Sequence, residues 1–405
     1  MTRRVVITGL GAVGSFGCGR AALAAALANG APRREEVQRP DGLHGTRSAR
    51  TAALVGGLDL TALVPPAAAR RMSPPSRFAV AAGRLALDDA GLESRALESA
   101  ATVLATSFGP TSFTEKLLRQ ILLEGPAAAS PSLFTECVAN APAAQVAIAL
   151  GIRGPNISIT QREAGPLTAM ARGAALVAAG RADAALVGAA EEMSPLLHAV
   201  LDRFRALARP RGREGEVARP FDRRRDGFLA ADGAAVAVLE TEDAAARRSA
   251  RPLARIAAWG AAFDCTASQT DWGVGSAGLG EALYGLLGRN GLSPEAIELV
   301  VAGASGAVAG DRLEALTLRA AWAGHPLPPV LAPKATTGEY GGAALAAAVL
   351  AMAGSSFGPT HGFAQPDPAL GIAPHDGRPL PRPRRALVSA LAAGGAAGWL
   401  VLEQP

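Results

Sequence analysis

Short apolar runs alternate with longer stretches of small residues along most of this chain. Val5–Gly11 is an apolar run that ends in glycine, which predicts a buried strand and a turn. Ser76–Leu92 predicts a helix, with Ser76 as N-cap, Phe78, Ala82 and Leu85 on one face, and Gly91 as the stop. Further strands are predicted at Val103–Ser107, Asn156–Thr160, Ala184–Gly188 and Ala234–Leu239. Helices are predicted at Ser112–Leu123, Ala141–Leu150 and Leu167–Ala179, the last so rich in small residues that it must be buried. The acidic, Ala-rich residues 240–248 read as a linker or crossover. A second series follows, with strands at Leu253–Ala258, Leu299–Ala302, Ala386–Ala390 and Leu400–Leu402 and helices at 277–289, 312–322 and 342–353. Both series alternate strand and helix, the plan of a duplicated α/β fold with halves at 1–248 and 249–405. Residues 33–75, rich in Pro and Arg, read as surface excursions.

Composition sharpens this picture. The 405 residues are 49% hydrophobic yet only 4% aromatic, so the core is built from Ala, Val and Leu, with Gly allowing close backbone approach. That suits tightly layered α/β structure better than a β-sandwich. The net charge of +5 is carried almost wholly by Arg, since Lys occurs only at Lys116 and Lys334. A basic surface suits an acidic protein partner. Nucleic acid is not expected, because no basic–aromatic interleaving is present. The three cysteines, Cys18, Cys137 and Cys265, are scattered and odd in number, which fits a reducing compartment. The five histidines (His44, His198, His325, His361 and His375) lack metal-ligand spacing, so no metal is expected. Gly9, Gly11 and Gly14 have the spacing of a dinucleotide loop but no acidic ribose partner follows a second strand. The N-terminus carries no signal-length apolar stretch, and charges or prolines interrupt most Ala-rich runs. A cytoplasmic protein without membrane spans is the expectation.

The motifs that carry chemistry resemble one family. Arg219-Pro220-Phe221-Asp222-Arg223-Arg224-Arg225-Asp226-Gly227-Phe228, continuing to Ala235, is close to the RPFDxxRDGF…GEGA signature of β-ketoacyl synthases of the thiolase superfamily. Val5–Gly14, Ser76–Leu92, Gly154–Met170, Pro333–Ala347 and Leu387–Leu402 resemble other segments of that family in the same order. The resemblance spans nearly the whole chain and implies a thiolase-like five-layered α/β/α/β/α fold.

Departures from the family pattern bear on function. Glu163 stands where the nucleophilic Cys opens a buried helix. Counting back from Asp311-Arg312-Leu313-Glu314-Ala315 places Gly303 at the first His, that of the HGTGT motif. Lys334-Ala335-Thr336-Thr337-Gly338-Glu339 retains the family Lys at Lys334 and places Glu339 at the second His. The gating loop GFGGTN becomes Leu391–Ala397, and Leu391 and Ala393 replace its aromatic gate residues. Decarboxylative condensation needs a thiolate to carry the acyl chain and two imidazoles to stabilise an enolate. Gly303 offers no side chain, and ionised Glu163 and Glu339 repel a malonyl carboxylate.

This pattern resembles the chain-length factor, or β-subunit, of type II polyketide synthases. The resemblance implies a non-catalytic subunit that pairs with a catalytic ketosynthase α-subunit and shapes the acyl tunnel. It also implies an acyl carrier protein as partner, whose phosphopantetheine brings the chain, and no cofactor of its own. Glu in place of the Gln common in the aromatic branch points toward reducing, polyene-forming systems. The alternative is a stand-alone enzyme, such as a malonyl-carrier-protein decarboxylase or an acyltransferase, and a structural chaperone for the partner is a third reading. Glu163 is either a structural vestige held by a hydrogen bond or a nearby Arg, or a residue that tunes the interface. Ser130–Cys137 aligns with the segment that reaches the partner's acyl pocket, so Leu133, Phe134 and Cys137, with Phe113 behind them, are candidate tunnel residues; dimer packing is the competing reading. The Arg run from Arg203 to Arg225 reads as a mostly solvated face or a docking patch for the carrier protein.

Overall fold

The computed structural model describes residues 3–39, 45, 48–93 and 97–405. The first half runs β1 (Val5–Gly14), β2 (Gly17–Cys18), α1 (Gly19–Asn29), β3 (Glu35–Glu36), β4 (Thr51–Ala52), α2 (Pro66–Ala69), α3 (Pro74–Ala90) and β5 (Ala101–Thr106). It continues through α4 (Thr111–Glu124), α5 (Pro131–Cys137), α6 (Ala141–Leu150), β6 (Asn156–Thr160), α7 (Gly165–Ala178), β7 (Ala184–Glu191), α8 (Pro195–Arg203), β8 (Gly233–Thr241) and α9 (Glu242–Arg247). The second half contains β9 (Ala254–Phe263), α10 (Ser276–Arg289), β10 (Leu299–Val301), α11 (Val308–Trp322), β11 (Val330–Leu331), α12 (Lys334–Thr337), α13 (Ala343–Met352), β12 (Arg385–Leu391) and β13 (Ala396–Glu403).

The strands follow the order β11-β10-β12-β13-β9-β1-β8-β7-β5-β6. Within each half the five main strands repeat one plan. In chain order, the third, second and fourth strands run parallel, and the fifth and first follow antiparallel. The halves join where β1 pairs with β9 over Val6–Arg255 and Ile7–Ala254. The duplication that has no sequence repeat is thus explicit in the topology.

Two helices lie between the sheets. α7 packs on β5 and β7 of the first half and on β9 and β13 of the second, while α13 packs on β1 and β8 and on β10, β12 and β13. One apolar cluster therefore contains residues from both sheets and both helices. All ten residues of α13 are buried, so it has no polar face. The outer layers are α3 and α6 on the first sheet, and α10 and α11 on the second. The result is the five-layered α/β/α/β/α arrangement.

Small residues set the layer spacing. A Cβ on Gly9 would lie 2.2 Å from Ala86 O, and one on Gly11 would lie 2.0 Å from Ala82 O. Both glycines are inside β1 and let α3 approach the sheet, which explains their spacing without a nucleotide. The two terminal strands differ. β11 is buried, whereas β6 is exposed at Asn156 and Thr160 and only half-buried between them.

Several local expectations need correction. The cap of α3 is Ser73, not Ser76, because Pro74 and Pro75 occupy the first helical positions. Ser76 lies inside the first turn and donates to Glu136 Oε2 at 2.8 Å. Residues 33–75 are not simply a surface excursion, since Val37, Arg39, Ala49, Ala52, Ala53, Val64 and Met72 are buried. Glu216 ties that segment down, accepting from Arg50 N at 2.8 Å and Thr51 N at 2.7 Å. Residues 240–248 hold the end of β8 and α9, whose cap Thr241 accepts from Ala244 N at 3.2 Å. The Arg run is not uniformly solvated. Arg219 and Arg225 are buried and paired with Glu214 and Asp367, at 2.6 and 2.7 Å.

Gly11→Ala is expected to destabilise the fold by about 1–3 kcal/mol, the usual cost of overpacking. Gly288→Ala, in α10 where an added Cβ meets nothing within 4 Å, should be neutral or stabilising. Urea unfolding of the two variants beside wild type checks the contrast.

Candidate active site at the ends of the inner helices

The N-terminal ends of α7 and α13 meet between the sheets. Gly341, just before α13, sits so close to α7 that an added Cβ would lie 3.0 Å from Pro166 Cγ. Glu163 enters on the turn between β6 and α7, and Glu339 on the turn between α12 and α13. Lys334, at the start of α12, is 1% exposed and pairs with Glu339 Oε1 at 2.6 Å. Gly338, with φ 74°, makes the turn that aims Glu339, and a Cβ there would lie 2.6 Å from Ala231 Cβ.

Electrostatics at this junction are unbalanced. Burial pushes the Glu163 carboxyl up to about 7, Glu339 adds to the push, and Lys334 only partly offsets it. Burial works against the charge of Lys334, but Glu339 and Glu163 outweigh it and hold its pKa above the ordinary value. Glu314, buried in α11, is likewise pushed up to about 7 by burial although it accepts from Gly303 N at 3.0 Å. One ammonium thus faces three carboxyl groups. Lys334 acts on the Glu163 carboxyl more strongly than Arg162 does.

Gly303 follows β10 and lies against β12. A Cβ there would stand 3.0 Å from Ser389 O and 3.2 Å from Ala390 Cα, so a larger side chain requires β12 to shift. The RPFD segment fastens the neighbouring loops. Asp311 accepts from Phe221 N at 2.8 Å and from Ser305 N and Gly306 N at 3.1 Å, and Asp222 accepts from Ala364 N at 2.7 Å and Gln365 N at 2.6 Å.

A cavity of about 510 Å³ opens beside this junction. Glu163, Glu339 and Ala393 line it, whereas Lys334 and Gly303 are set behind its wall and Leu391 is buried at the end of β12. The walls also include Glu191 and Glu192, which the sequence reading passed over. Their only sequence signal is an acidic pair directly after the apolar run of β7. Glu191 accepts from Thr106 Oγ1 at 3.2 Å and from Ser107 N, and burial still pushes it up to about 7. Glu192 accepts from Thr111 Oγ1 at 2.7 Å and from Ser112 Oγ at 3.0 Å.

The candidate tunnel residues lie elsewhere. Phe134 is 60% exposed on α5, with Leu133 and Cys137 half-buried on the same helix and Phe113 half-buried on α4. None of them lines the cavity of this chain. Cys137 donates its thiol to Leu133 O at 3.1 Å, Cys18 is half-buried and Cys265 is exposed. His198 is buried and accepts from Arg39 Nε at 3.1 Å, a satisfied interior role, and His375 is buried with Phe357 O at 3.2 Å. His44 lies outside the described residues. Among the described residues no single helix is long and apolar enough to cross a membrane.

The two-half architecture with a site at paired inner-helix ends defines a thiolase-type protein. Family models extend this to sequence: residues 2–245 match the beta-ketoacyl synthase N-terminal domain and residues 253–363 the beta-ketoacyl synthase C-terminal domain. The chain belongs to the β-ketoacyl synthase family. It is 30% identical to a 3-oxoacyl-[acyl-carrier-protein] synthase 2 of Vibrio cholerae, over 99% of both chains. It is 32% identical to the "Putative polyketide beta-ketoacyl synthase 2" of Streptomyces halstedii, over 99% of this chain and 97% of that one. The ishigamide ketosynthase/chain length factor structure superposes with a TM-score of 0.90 at 27% identity, with both chains fully covered.

Glu163→Gln tests the electrostatics. A carboxyl whose folded pKa stands above its unfolded value loses stability as pH rises from the unfolded pKa to the folded one. The variant should therefore melt with wild type at pH 4.5 and above it at pH 8, with the gap opening mainly below about pH 7. Melting curves across that range, read as the difference between the two proteins, check it.

Proposed function

We propose that this chain is a non-catalytic, chain-length-determining subunit that pairs with a catalytic ketosynthase in a type II polyketide synthase. The observation that carries the reading is the replaced chemistry on a retained frame. The turn after β6 still delivers a side chain to the head of a buried helix, but that side chain is Glu163. A carboxylate cannot hold an acyl chain as a thioester. The position that follows β10 is Gly303, which has no group to stabilise an enolate, and Glu339 is engaged with Lys334. The degenerate positions are thus Glu163, Gly303 and Glu339, with Lys334 retained.

Surface chemistry supports a paired state. β6 ends the sheet order and is not fully buried. Contacts run from it through α6 and α5 to α4. Along that path Leu118, Leu122, Leu123, Phe134 and Ile148 are 50–80% exposed. An open strand edge beside such an apolar surface is an aggregation hazard unless covered. The occupant proposed is the ketosynthase α-subunit, whose own β6-equivalent edge would meet this one. Leu133, Phe134 and Cys137, with Phe113 behind them, then face the partner's acyl tunnel and set its far end. The chain extended there is a poly-β-keto or polyene acyl group carried by an acyl carrier protein. The ishigamide ketosynthase/chain length factor, a structure similar along the whole chain, supports this assignment.

Assembly gives the first test. Expressed alone, the chain should aggregate, and with its cognate ketosynthase it should purify as a one-to-one complex; a well-behaved monomer with no affinity for that partner overturns the reading. Covalent loading gives the second. Intact mass should show no acyl adduct on this chain after incubation with acyl- or malonyl-carrier protein, and Glu163→Ala should leave product formation by the complex largely intact.

Product length is the third test. Phe134→Leu or Leu133→Ala should lengthen the products by whole extender units while the complex survives, and larger side chains should shorten them. An unchanged length distribution across a folded, active series would limit this segment to packing.

A further inference from the structure

Residues that line the cavity beside Glu163 carry four polar atoms that are buried and have no hydrogen-bond partner within the protein: Glu163 Oε2, Glu339 Oε2, Asp226 Oδ1 and the Tyr340 hydroxyl. Tyr340 is 1% exposed and the Glu339 side chain 12%. Buried polar groups are nearly always paired, and a carboxylate oxygen can only accept. The complement to this set is therefore a group rich in N–H or O–H donors.

Charge narrows the class. Six acidic side chains line the cavity against two arginines, Arg162 and Arg205. Glu191 and Glu192 are already supplied with donors from Thr106, Ser107, Thr111 and Ser112. Asp226 Oδ2 is taken by Arg211 at 2.9 Å, and Lys334 by Glu339 Oε1. The three remaining carboxylate oxygens accept no hydrogen bond: Lys334, which acts on both Glu163 and Glu339, pairs with Glu339 Oε1, and Arg211 pairs with Asp226 Oδ2. Among the described residues no three His, Cys, Asp or Glu side chains are grouped to hold a metal ion, so the charge fits an organic cation better than a metal. The rest of the wall is apolar, with Leu197, Val200, Leu201, Phe204, Phe228 and Trp272. Phe204 is 71% exposed and Val200 41%, which places apolar surface at an open side of the cavity.

We propose that this cavity binds a primary ammonium carried on a short apolar body, with the ammonium at Glu163, Glu339 and Tyr340 and the body against Leu197, Phe204 and Trp272. The site is independent of the length-setting role, which lies on α4 and α5. An acyl group or carboxylate meets the carboxyl groups of Glu163 and Glu339 at the deep end, with the Tyr340 hydroxyl as donor, and is disfavoured there by their charge.

The test uses the complex with its ketosynthase and n-hexylammonium as probe, read by isothermal titration calorimetry. n-Hexanol and hexanoate serve as neutral and anionic controls of the same length. Hexylammonium should bind this chain at one site, with hexanol and hexanoate at least about 10-fold weaker, or ~1.4 kcal/mol. Glu163→Gln and Tyr340→Phe should each weaken the ammonium selectively, which also separates this site from any in the partner. Equal binding of hexanol would reduce the site to an apolar cavity, and preference for hexanoate would reverse its charge logic. Heat unchanged by Glu163→Gln, or no binding up to about 10 mM, would mean that water satisfies these oxygens. Each of those results overturns the proposal and leaves the product-length readout untouched.

Discussion

The structure depends on the burial of two helices between two sheets. α7 and α13 have sheet on both sides, so most of α7 and all of α13 are buried, and the space for each is set by the smallest side chains that fill it. This is why the composition is dominated by Ala and Gly and why aromatics are scarce. Gly173 in α7, where a Cβ would lie 2.3 Å from Val187 Cγ2, and Gly342 at the head of α13, 2.6 Å from Ala235 Cβ, mark how closely the layers approach. Interiors packed this tightly relax little, so added volume is felt across layers.

The heads of both helices meet between the sheets, and the site lies at those two ends. There Glu163 and Glu339 meet the buried ammonium of Lys334. A buried ammonium with an excess of carboxyls around it is poorly suited to stabilise a developing negative charge. Protonation relieves part of that imbalance, as the raised values of Glu163 and Glu314 indicate. The same arrangement leaves unpartnered carboxyl oxygens on residues beside a cavity.

Much of this was legible in the sequence. Strand and helix positions followed from apolar period, and the helices 141–150 and 342–353 were read within a residue because glycine marks one or both ends. The junction was legible through spacing, since Glu163, Lys334 and Glu339 sit at fixed offsets in recognisable turns. What escaped depended on tertiary partners. Ser73 displaced Ser76 as a cap because two prolines fixed the first turn, and Arg50 and Thr51 are held by Glu216, far away in the chain. Glu191 and Glu192 looked like the ordinary polar end of a strand. Only the fold turns them inward, toward hydroxyls and amides after β5.

The repeat is symmetric in its strand order but not at its borders. β6 and β11 hold equivalent places in the two halves, yet β11 is two residues long and buried while β6 remains open. A molecule with both borders open could add neighbours at each end and grow into a fibre. With one border sealed, growth through this sheet stops after a single addition. The asymmetry between two otherwise matching edges leaves an internally repeated chain with one open strand border instead of two.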